Sequence, residues 1–357
     1  MSDPTSDRIS VVIPTYNRAH LIRRTVDSVL EQTYGNVLAI VLDDGSRDET
    51  EQVMATYAGN GRVLYVKQPN GGVSSARNHA LRLVQGGYVA FLDSDDQWVP
   101  WKLAAQHACL TALPDVGMIW TDMDMVDEHD ALIKATCMRG SYSTYDLVPM
   151  HVIVPESAAF FTLAPNVAGP PPRTQVRWGD AFSAMALGNL CQPSTVLARR
   201  SIVEAAGPWN ESMRTGEDHE YHLRLARKGR VAVLDCATVR YRKGAEDQLT
   251  RPDLQLTIAE NYLKTILPVF EHERARIHLP PHVLRRTLAS AHAWLAEELT
   301  KHGRKAEARR HWAKSLLSWP LQGRTAMRLA LSVAPDELTE RARSVYRTAK
   351  EVVSARR

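Results

Sequence analysis

The sequence has few cysteines and no long apolar segment, and each shortage excludes a class of protein. Its 357 residues include four cysteines, and none forms a C-x-x-C pair or lies near a histidine at metal-finger spacing. We therefore expect reduced thiols, not a disulfide framework or a structural zinc site. The longest apolar runs have the length of a strand, as in Val37–Leu42. None approaches the ~18–20 residues of a transmembrane helix.

The N-terminus lacks the basic start and the apolar stretch of a signal peptide, since residues 1–7 are polar and acidic. These features predict a cytoplasmic protein. From Glu271 to Arg357 there are 18 Lys and Arg against 9 Asp and Glu, a net charge of +9, which leaves −5 for residues 1–270 of the total of +4. We expect the Lys and Arg side chains of this basic tail to lie on solvated helix faces. The alternative is peripheral contact with anionic lipid at the inner membrane face.

The first hundred residues alternate apolar strands with helical patterns. Strands are predicted at Ile9–Ile13, Val37–Leu42, Val63–Val66 and Tyr88–Leu92. Continuous apolar strands separated by helices indicate a mostly parallel, Rossmann-like α/β sheet with helices on both faces. Residues 163–178 are rich in proline and predict a loop. A helix is expected to begin near Glu217-Asp218 and to end at Lys228-Gly229.

Strand patterns are absent after about residue 250, which predicts an α-helical C-terminal region over 251–357. Within Ala291–Pro320 the spacing of small and aromatic residues resembles one tetratricopeptide-type hairpin. A single such repeat cannot bury its own apolar face. A helical cap packed on the rest of the protein is therefore an equally strong interpretation.

Acidic residues follow the second and fourth strands directly. In parallel sheets ligands bind at the carboxyl ends of the strands, so Asp43-Asp44 and Asp93-Ser94-Asp95 are expected to converge on one edge. Two carboxylates with phosphate oxygens suit Mg²⁺ or Mn²⁺. By itself, Asp93-Ser94-Asp95 is more often a polar turn before a helix, here expected near Trp98.

Four linked motifs favour a binding site over a polar turn at these acidic residues. They are Val11-Val12-Ile13-Pro14-Thr15-Tyr16-Asn17-Arg18, Val41-Leu42-Asp43-Asp44-Gly45-Ser46, Asn70-Gly71-Gly72-Val73-Ser74-Ser75-Ala76-Arg77-Asn78 and Phe91-Leu92-Asp93-Ser94-Asp95-Asp96. In order and spacing the chain resembles the family 2 glycosyltransferases, with Gly216-Glu217-Asp218 similar to the family's acidic motif. The resemblance implies an A-type nucleotide-sugar-binding fold. It also implies a catalytic domain over 1–250, divided into a nucleotide-sugar half (about 8–125) and an acceptor half (about 126–250).

The resemblance implies donor contacts by Pro14, Thr15, Tyr16, Arg18, Asp44, Arg77, Asp93 and Ser94. Asp44 resembles the carboxylate that accepts from the pyrimidine N–H, and an Asx turn with Gly45 and Ser46 is its structural alternative. Arg77 resembles an arginine that contacts the nucleotide or its phosphates, as opposed to a solvated helix charge. Asp95 and Asp93 are the expected ligands of the divalent metal.

Asp218 is the candidate general base for an inverting single displacement on an acceptor hydroxyl, and Glu217 would orient Asp218 or the acceptor. A helix N-terminus favours the ionised carboxylate that a base requires. A pair of helix-capping acids is the structural alternative. His219 and His222, on the same helix, are interpreted as acceptor-site or surface residues.

The chain departs from the family at Tyr241-Arg242-Lys243-Gly244-Ala245-Glu246, where members often have a metal-binding histidine. The expected metal thus has fewer protein ligands, or a Lys or Arg helps to neutralise the diphosphate. The resemblance implies a nucleotide-sugar donor with UDP as the nucleotide, and dTDP and GDP stay open as alternatives. The acceptor is expected to be a glycan, lipid-linked carrier, protein or small molecule.

Two other classes of protein were weighed against the glycosyltransferase. A dinucleotide-dependent oxidoreductase is excluded because G-x-G-x-x-G does not follow the first strand. A catalytically inactive nucleotide-sugar-binding protein, whose helical tail mediates interactions, is the alternative function. No basic stripe with interleaved aromatics indicates nucleic acid as a partner.

Overall fold

The computed structural model describes residues 6–243 and 251–333. The strands, in chain order, are β1 (Ile9–Thr15), β2 (Val37–Asp43), β3 (Val63–Lys67), β4 (Tyr88–Phe91), β5 (Gln97–Trp98), β6 (Val116–Val126), β7 (Leu132–Lys134), β8 (Glu156–Ala159), β9 (Gln175–Gly179), β10 (Leu197–Arg199) and β11 (Arg230–Arg242). The first helices are α1 (Ile22–Leu30), α2 (Thr50–Ala55), α3 (Val73–Leu81) and α4 (Lys102–Ala112). Short helices follow at α5 (Met138–Ser141), α6 (Thr144–Leu147), α7 (Met150–Ile153), α8 (Phe160–Leu163) and α9 (Phe182–Met185).

The later helices are α10 (Arg200–Ala206), α11 (Glu217–Lys228), α12 (Gln255–His272), α13 (Pro281–Lys301), α14 (Lys305–Ser318) and α15 (Gly323–Val333). Turns of 3₁₀ helix lie at Pro193–Thr195, Pro252–Leu254 and Arg274–Arg276. In the described part of the chain from residue 251 onwards every regular element is helical, so the predicted α-helical C-terminal region is confirmed.

The strands form one mixed sheet in the order β3-β2-β1-β4-β10-β6-β11-β9-β8, with β5 and β7 at its margins. The strands β1 to β4 are mutually parallel, and β6 pairs with β11 in parallel. Strand β10 runs antiparallel between β4 and β6. The predicted α/β class is confirmed, and the antiparallel members are β10, β9, β8 and the short marginal strands.

Two local predictions are wrong. The proline-rich segment 163–178 was expected to be irregular, but Gln175–Gly179 forms strand β9 because it pairs with β11 on one side and β8 on the other. The helix expected near Trp98 begins at Lys102, since Gln97–Trp98 instead pairs with β11. In both cases a partner strand distant in sequence overrides the local pattern.

The core explains why the polar chemistry lies at the strand ends. All residues of β1 and β2 are buried, as expected for central strands covered on both faces. Helix α1 adds Ile22, Val26 and Val29 to this core at helical spacing. Because the strand bodies are filled with apolar side chains, the residues after β1, β2 and β4 are where polar groups are accommodated, and the parallel register brings these ends to one edge.

The chain divides into two compact units. One consists of the described residues up to Arg251 together with Thr265–His278, and it contains the whole sheet. The other consists of Pro252–Lys264 and the described residues from Leu279 onwards. In this second unit α13 and α14 pack together, and Leu295, Ala308 and Trp312 of these helices are buried. The predicted domain boundary at residue 250 and the resemblance to a tetratricopeptide hairpin stay predictions.

Among the described helices, none combines the length and the apolar character needed to span a bilayer.

Candidate functional site

The end of β4 carries two partly exposed carboxylates. The side chain of Asp93 is 27% exposed and that of Asp95 is 18% exposed. Between them, Ser94 is buried, and its carbonyl oxygen accepts a hydrogen bond from the Thr25 hydroxyl at 3.0 Å. The backbone of this turn is therefore fixed by α1, while the two flanking carboxylates remain accessible to a ligand.

The next residue, Asp96, is a third carboxylate with a different environment. It is fully buried, and its oxygens accept hydrogen bonds from the Ser194 hydroxyl at 2.6 Å and the Arg242 amide at 3.1 Å. Burial raises the pKa of Asp96 well above its ordinary value. Asp96 thus joins the β4 turn to β11 and to the turn before β10. No role is predicted for Asp96 from the sequence, although its place in the Asp93–Asp96 motif is a usable signal.

Arg77 connects two parts of the chain that are 140 residues apart. It is 3% exposed; its Nη2 donates to Asp93 Oδ1 at 2.8 Å, and its Nη1 donates to Glu217 Oε1 at 2.9 Å. Its guanidinium also lies over the ring of Trp209, 4.4 Å from the centroid. The alternative of a solvated helix charge is therefore wrong. The carboxylates raise the pKa of Arg77 despite its burial, so its charge is retained.

Helix α11 begins with the two acidic residues of the predicted catalytic motif. Gly216 precedes it with φ of +72°, a left-handed conformation that favours glycine. Asp218 Oδ2 accepts from Asn189 Nδ2 at 2.8 Å, and Asp218 Oδ1 accepts from the His219 amide at 2.8 Å. The effect expected from the helix N-terminus is outweighed, because burial raises the pKa of Asp218. Burial likewise raises the pKa of Glu217 to about 7 against the opposing effect of Arg77.

The end of β1 supplies the other predicted donor contacts. Pro14 and Thr15 are the last residues of the strand, and the buried Thr15 hydroxyl has no hydrogen-bond partner within the described ranges. Tyr16 is 42% exposed, which leaves its ring accessible for stacking. Arg18 lies near the end of β4, with its Nη2 at 3.9 Å from Asp95 Oδ2. The structure therefore places the β1 end beside the carboxylates of the β4 end.

The carboxylate of Asp44 is surrounded by donors from the loop before α3. Its Oδ1 accepts from Gln68 Nε2 at 2.7 Å and from the Gly71 amide at 2.8 Å, and its Oδ2 accepts from the Gly72 amide at 2.7 Å. Gly45 has φ of +81°, and a Cβ there would lie 2.9 Å from the Asn70 amide nitrogen. This close approach between Gly45 and Asn70 lets the Gly71 and Gly72 amides of the loop reach the Asp44 carboxylate.

The Asx turn considered for Asp44 is formed by its neighbour. Asp43 Oδ1 accepts from the Ser46 amide at 2.7 Å, and Asp43 Oδ2 accepts from the Tyr65 hydroxyl at 2.6 Å. Asp43 is fully buried. An Asx turn is therefore present, as the structural alternative predicted, but Asp43 forms it and not Asp44.

His219 and His222 are not surface residues, in contrast to one of the interpretations from sequence. His219 is buried with its Nε2 2.8 Å from the Met185 carbonyl oxygen, and His222 is fully buried beside Asn189. Burial lowers the pKa of His219 to about 4 and that of His222 to about 3, so both rings are neutral near pH 7. Asn189 was missed by the sequence analysis, because no local pattern connects it to α11.

The residues at the β4 end fit a divalent cation only if the donor completes its coordination. In the described ranges no group of three His, Cys, Asp or Glu side chains is placed to hold a metal ion. Asp93 and Asp95 provide hard oxygen donors, which suit Mg²⁺ or Mn²⁺ when phosphate oxygens supply further ligands. The stretch 241–246, where the family's metal-binding histidine is lacking, is described only as far as Lys243. Gly244, Ala245 and Glu246 lie outside the described residues.

Residues 10–121 match the family model of glycosyl transferase family 2. An uncharacterized glycosyltransferase of Rickettsia prowazekii is 36% identical over 124 residues, which cover 34% of this chain and 38% of the relative. The Escherichia coli protein named UDP-Glc:alpha-D-GlcNAc-diphosphoundecaprenol beta-1,3-glucosyltransferase WfgD is 39% identical over 126 residues, which cover 35% of this chain and 49% of that protein. The matched segment thus spans less than half the length of these relatives.

Two solved structures have a similar fold. One is Staphylococcus aureus TarS (residues 1–349) in complex with UDP-GlcNAc, with a TM-score of 0.52 and 18% identity, covering 87% of this chain and 89% of that one. The other is the mannosyltransferase PcManGT from Pyrobaculum calidifontis in complex with GDP-Man and Mn²⁺, with a TM-score of 0.50 and 18% identity, covering 98% and 88%. At this identity the likeness concerns the fold alone.

The predicted A-type fold is confirmed by these comparisons, and residues 10–121 show the predicted likeness to glycosyl transferase family 2. The motifs that carried the prediction, from Val11 to Asp96, lie inside the matched segment. Residues 10–121 are therefore similar to glycosyl transferase family 2.

Proposed function

We propose that the protein is an inverting glycosyltransferase that moves a sugar from a UDP donor to an acceptor hydroxyl. The observation that carries the proposal is the position of Arg77 between Asp93 and Glu217. This contact joins the proposed donor side, at the end of β4, to the start of α11, where Asp218 is the proposed base. Both Arg77 and Asp93 act on the pKa of Asp218, so the three groups are within electrostatic range.

The donor binds along the ends of β1, β2 and β4 in this proposal. Thr15 and the exposed ring of Tyr16 receive the base, and Asp44 accepts from its pyrimidine N–H. A carboxylate offers about four lone-pair sites, and three are already used at Asp44, so one remains for the base. The choice of UDP is supported by the printed names of WfgD and of the TarS complex, which state UDP-Glc and UDP-GlcNAc.

Pro14, Ser94 and Arg18 complete the donor side. Pro14 and Ser94 shape the backbone at the ends of β1 and β4, and Arg18 lies close enough to Asp95 to face a diphosphate bound there. Arg77 would contact the donor from between its two carboxylates. Its buried charge is held in one place, which favours a fixed phosphate or ribose orientation.

A divalent metal, Mn²⁺ or Mg²⁺, would be held by Asp95 and Asp93 together with the donor's phosphates. When bound it would supply Lewis-acid stabilisation of the negative charge on the departing diphosphate. The Mn²⁺ named with the fold neighbour PcManGT supports this choice.

Asp218 acts as the general base. The acceptor oxygen attacks the anomeric carbon and forms the new C–O bond, its proton passes to Asp218, and the bond to the diphosphate oxygen breaks with its electron pair on the leaving group. One displacement inverts the anomeric centre. The partly buried position of Asp218 raises its pKa, which makes the ionised carboxylate a stronger proton acceptor.

The acceptor is a glycan, a lipid-linked carrier or a small molecule, and a lipid-linked carrier agrees with the acceptor in the name of WfgD. A cytoplasmic protein that meets such a carrier works at the inner membrane face. The basic residues from Glu271 onwards would then favour peripheral contact with anionic lipid.

The test is turnover of UDP-glucose and UDP-N-acetylglucosamine by the full chain, with and without Mn²⁺. We expect metal-stimulated release of UDP, and proton NMR of the first sugar product should show the β anomer from an α-linked donor. Product with retained configuration would contradict the inverting mechanism. UDP-sugar binding without any turnover, in the presence of candidate acceptors, would instead favour the inactive binding protein.

A further inference from the structure

Asn189 lies in the segment between α9 and β10 and links the proposed base to a buried part of the protein. Its Nδ2 donates to Asp218 Oδ2 at 2.8 Å. The other oxygen of the base, Oδ1, is held by the amide of His219. Each oxygen of the Asp218 carboxylate therefore accepts at least one hydrogen bond, and Asn189 provides one that comes from outside α11.

The orientation of the Asn189 amide is fixed by its own backbone surroundings. Its Oδ1 accepts from the Leu190 amide at 3.0 Å and from the Cys191 amide at 3.4 Å. Backbone N–H groups can only donate, so the amide oxygen must face them and the NH₂ group must face Asp218. The reverse orientation would place donor against donor and leave the carboxylate facing an oxygen.

His222 adds a third contact to the Asn189 oxygen. Its Nδ1 lies 3.2 Å from Asn189 Oδ1 and 3.4 Å from Cys191 Sγ. Its Nε2 is buried without a hydrogen-bond partner in the described part of the chain. An unmet buried donor is costly, so the proton is best placed on Nδ1, where it is donated to Asn189. The neutral ring thus holds the amide in the orientation that serves Asp218.

We propose that Asn189, oriented by His222, is the positioning residue of the general base, holding the Asp218 carboxylate ionised and aimed at the acceptor. This inference rests on the proposed function of Asp218. Asn189 touches the base and not the reacting atoms, so its loss should change turnover and its pH dependence more than donor affinity.

The charged and titratable groups that face Asp218 come from several elements. Arg77 on α3 favours its ionised form, and Asp93 after β4 and Glu217 on α11 disfavour it. Tyr142 after α5 and Cys191 lie within electrostatic range, but burial raises the pKa of both, which keeps them neutral. Against this background, the change of Asn189 to a carboxylate adds one negative charge directly against the base.

The test compares the pH profile of kcat for UDP release from UDP-glucose in the wild type and in Asn189→Asp. Aspartate retains the oxygen that accepts from Leu190 and Cys191, so the turn should persist. Two carboxylates then share one site, which raises the pKa at which the base ionises. We expect the acidic limb of the profile to move up by more than about one pH unit, with the Kd for UDP within twofold of the wild type.

The matched control is Asn210→Asp, which introduces the same charge at a residue whose side-chain oxygen accepts from the amide and the hydroxyl of Ser212. Its profile should coincide with that of the wild type. An unshifted profile in Asn189→Asp, or an equal shift in Asn210→Asp, would overturn the proposal. If Asn189→Asp does not fold, Asn189→Ala should lower kcat by about 10- to 100-fold at unchanged KM for UDP-glucose, and an unchanged kcat would be contrary to the inference.

Asp218→Asn separates this inference from the function on which it depends. Turnover that is insensitive to Asp218→Asn would contradict the assignment of the base. Turnover that depends on Asp218 but is unchanged by substitution of Asn189 would contradict only the positioning role. Carboxyl ¹³C NMR of aspartate-labelled protein follows the same titration without turnover, with the Asp218 signal assigned from Asp218→Asn. A carboxyl that titrates in Asn189→Asp at the same pH as in the wild type would be evidence against the proposal.

Discussion

The ends of β2 and β4 carry similar acidic sequences in different environments. At the β2-end cluster, Asp43 and Asp44, each carboxylate oxygen accepts at least one hydrogen bond from the protein, and both residues are buried. At the β4-end cluster, Asp93 and Asp95, the side chains are 27% and 18% exposed. Asp93 is paired on one side with the buried Arg77. The difference indicates that the first cluster organises a loop around its carboxylates, whereas the second leaves its carboxylates more accessible to a ligand.

The largest expected effect concerns Arg77, which holds the β4-end cluster to α11. Arg77→Met would leave Asp93 and Glu217 without their buried counter-charge, so we expect a loss of about 3–5 kcal/mol in the free energy of unfolding at pH 8. Urea denaturation measures it. Arg82→Met, at an exposed position just after the same helix, is the control and should be nearly silent. A loss of the same small size in both variants would show that the bridge contributes little.

The second effect is a pH dependence that arises from Glu217, which Arg77 joins to the β4-end cluster. Folding raises the pKa of Glu217 from 4.5 to about 7, so the folded chain keeps a proton that the unfolded chain has lost. The free energy of unfolding should therefore fall as pH rises from about 4.5 to 7, by ~3 kcal/mol at most from this group. In Glu217→Gln this part of the slope should be absent. Parallel curves for the two proteins would contradict the burial argument.

The third effect tests the structural role of the β2 end. Asp44→Ala removes the acceptor of Gln68 and of the Gly71 and Gly72 amides, so we expect a loss of about 1–3 kcal/mol in the free energy of unfolding. Asp95→Ala, at the partly exposed β4 end, should change it by less than about 0.5 kcal/mol. Equal losses in the two variants would remove the distinction between the clusters.

The smallest effect is on ligand affinity at the β4 end. Asp95→Ala should lose the Mn²⁺-dependent part of UDP binding, a weakening of about tenfold or more, while binding without metal is retained. Isothermal titration calorimetry with UDP, with and without Mn²⁺, measures it. If Mn²⁺ still strengthens UDP binding by the wild-type factor, Asp95 is not a metal ligand.

The strand ends and the start of α11 could be predicted from sequence because their signals are local. Apolar runs closed by Pro14 in β1 and by acidic turns after β2 and β4 give these strands within one or two residues. The helix expected from near Glu217-Asp218 to Lys228-Gly229 is observed at Glu217–Lys228. Strand β9 was missed because its stability comes from pairing with β11 and β8, which no window around Gln175 contains. Tertiary pairing decides such segments.

The contacts within the candidate site depend on distant residues, so a linear sequence does not reveal them. Arg77 and Glu217 are 140 residues apart, and Asn189 and Asp218 are 29 apart. The resemblance to family 2 singled out Arg77 and Asp218, but the loop donors that occupy Asp44 and the burial that raises the pKa of Asp218 are consequences of folding. The stabilisation of an ionised carboxylate by a helix N-terminus is small, ~0.3–1 kcal/mol, and the opposing effect of burial on Asp218 is larger.

The most direct test of the account is the turnover number of Asp218→Asn with saturating donor. Asparagine retains the size of the side chain and caps a helix about as well as aspartate, but it cannot accept the proton of the acceptor hydroxyl. We predict a loss of about 10²–10⁴-fold in kcat with the Kd for UDP nearly unchanged. Near-normal turnover would make Asp218 a helix-capping residue and contradict the assignment of the general base.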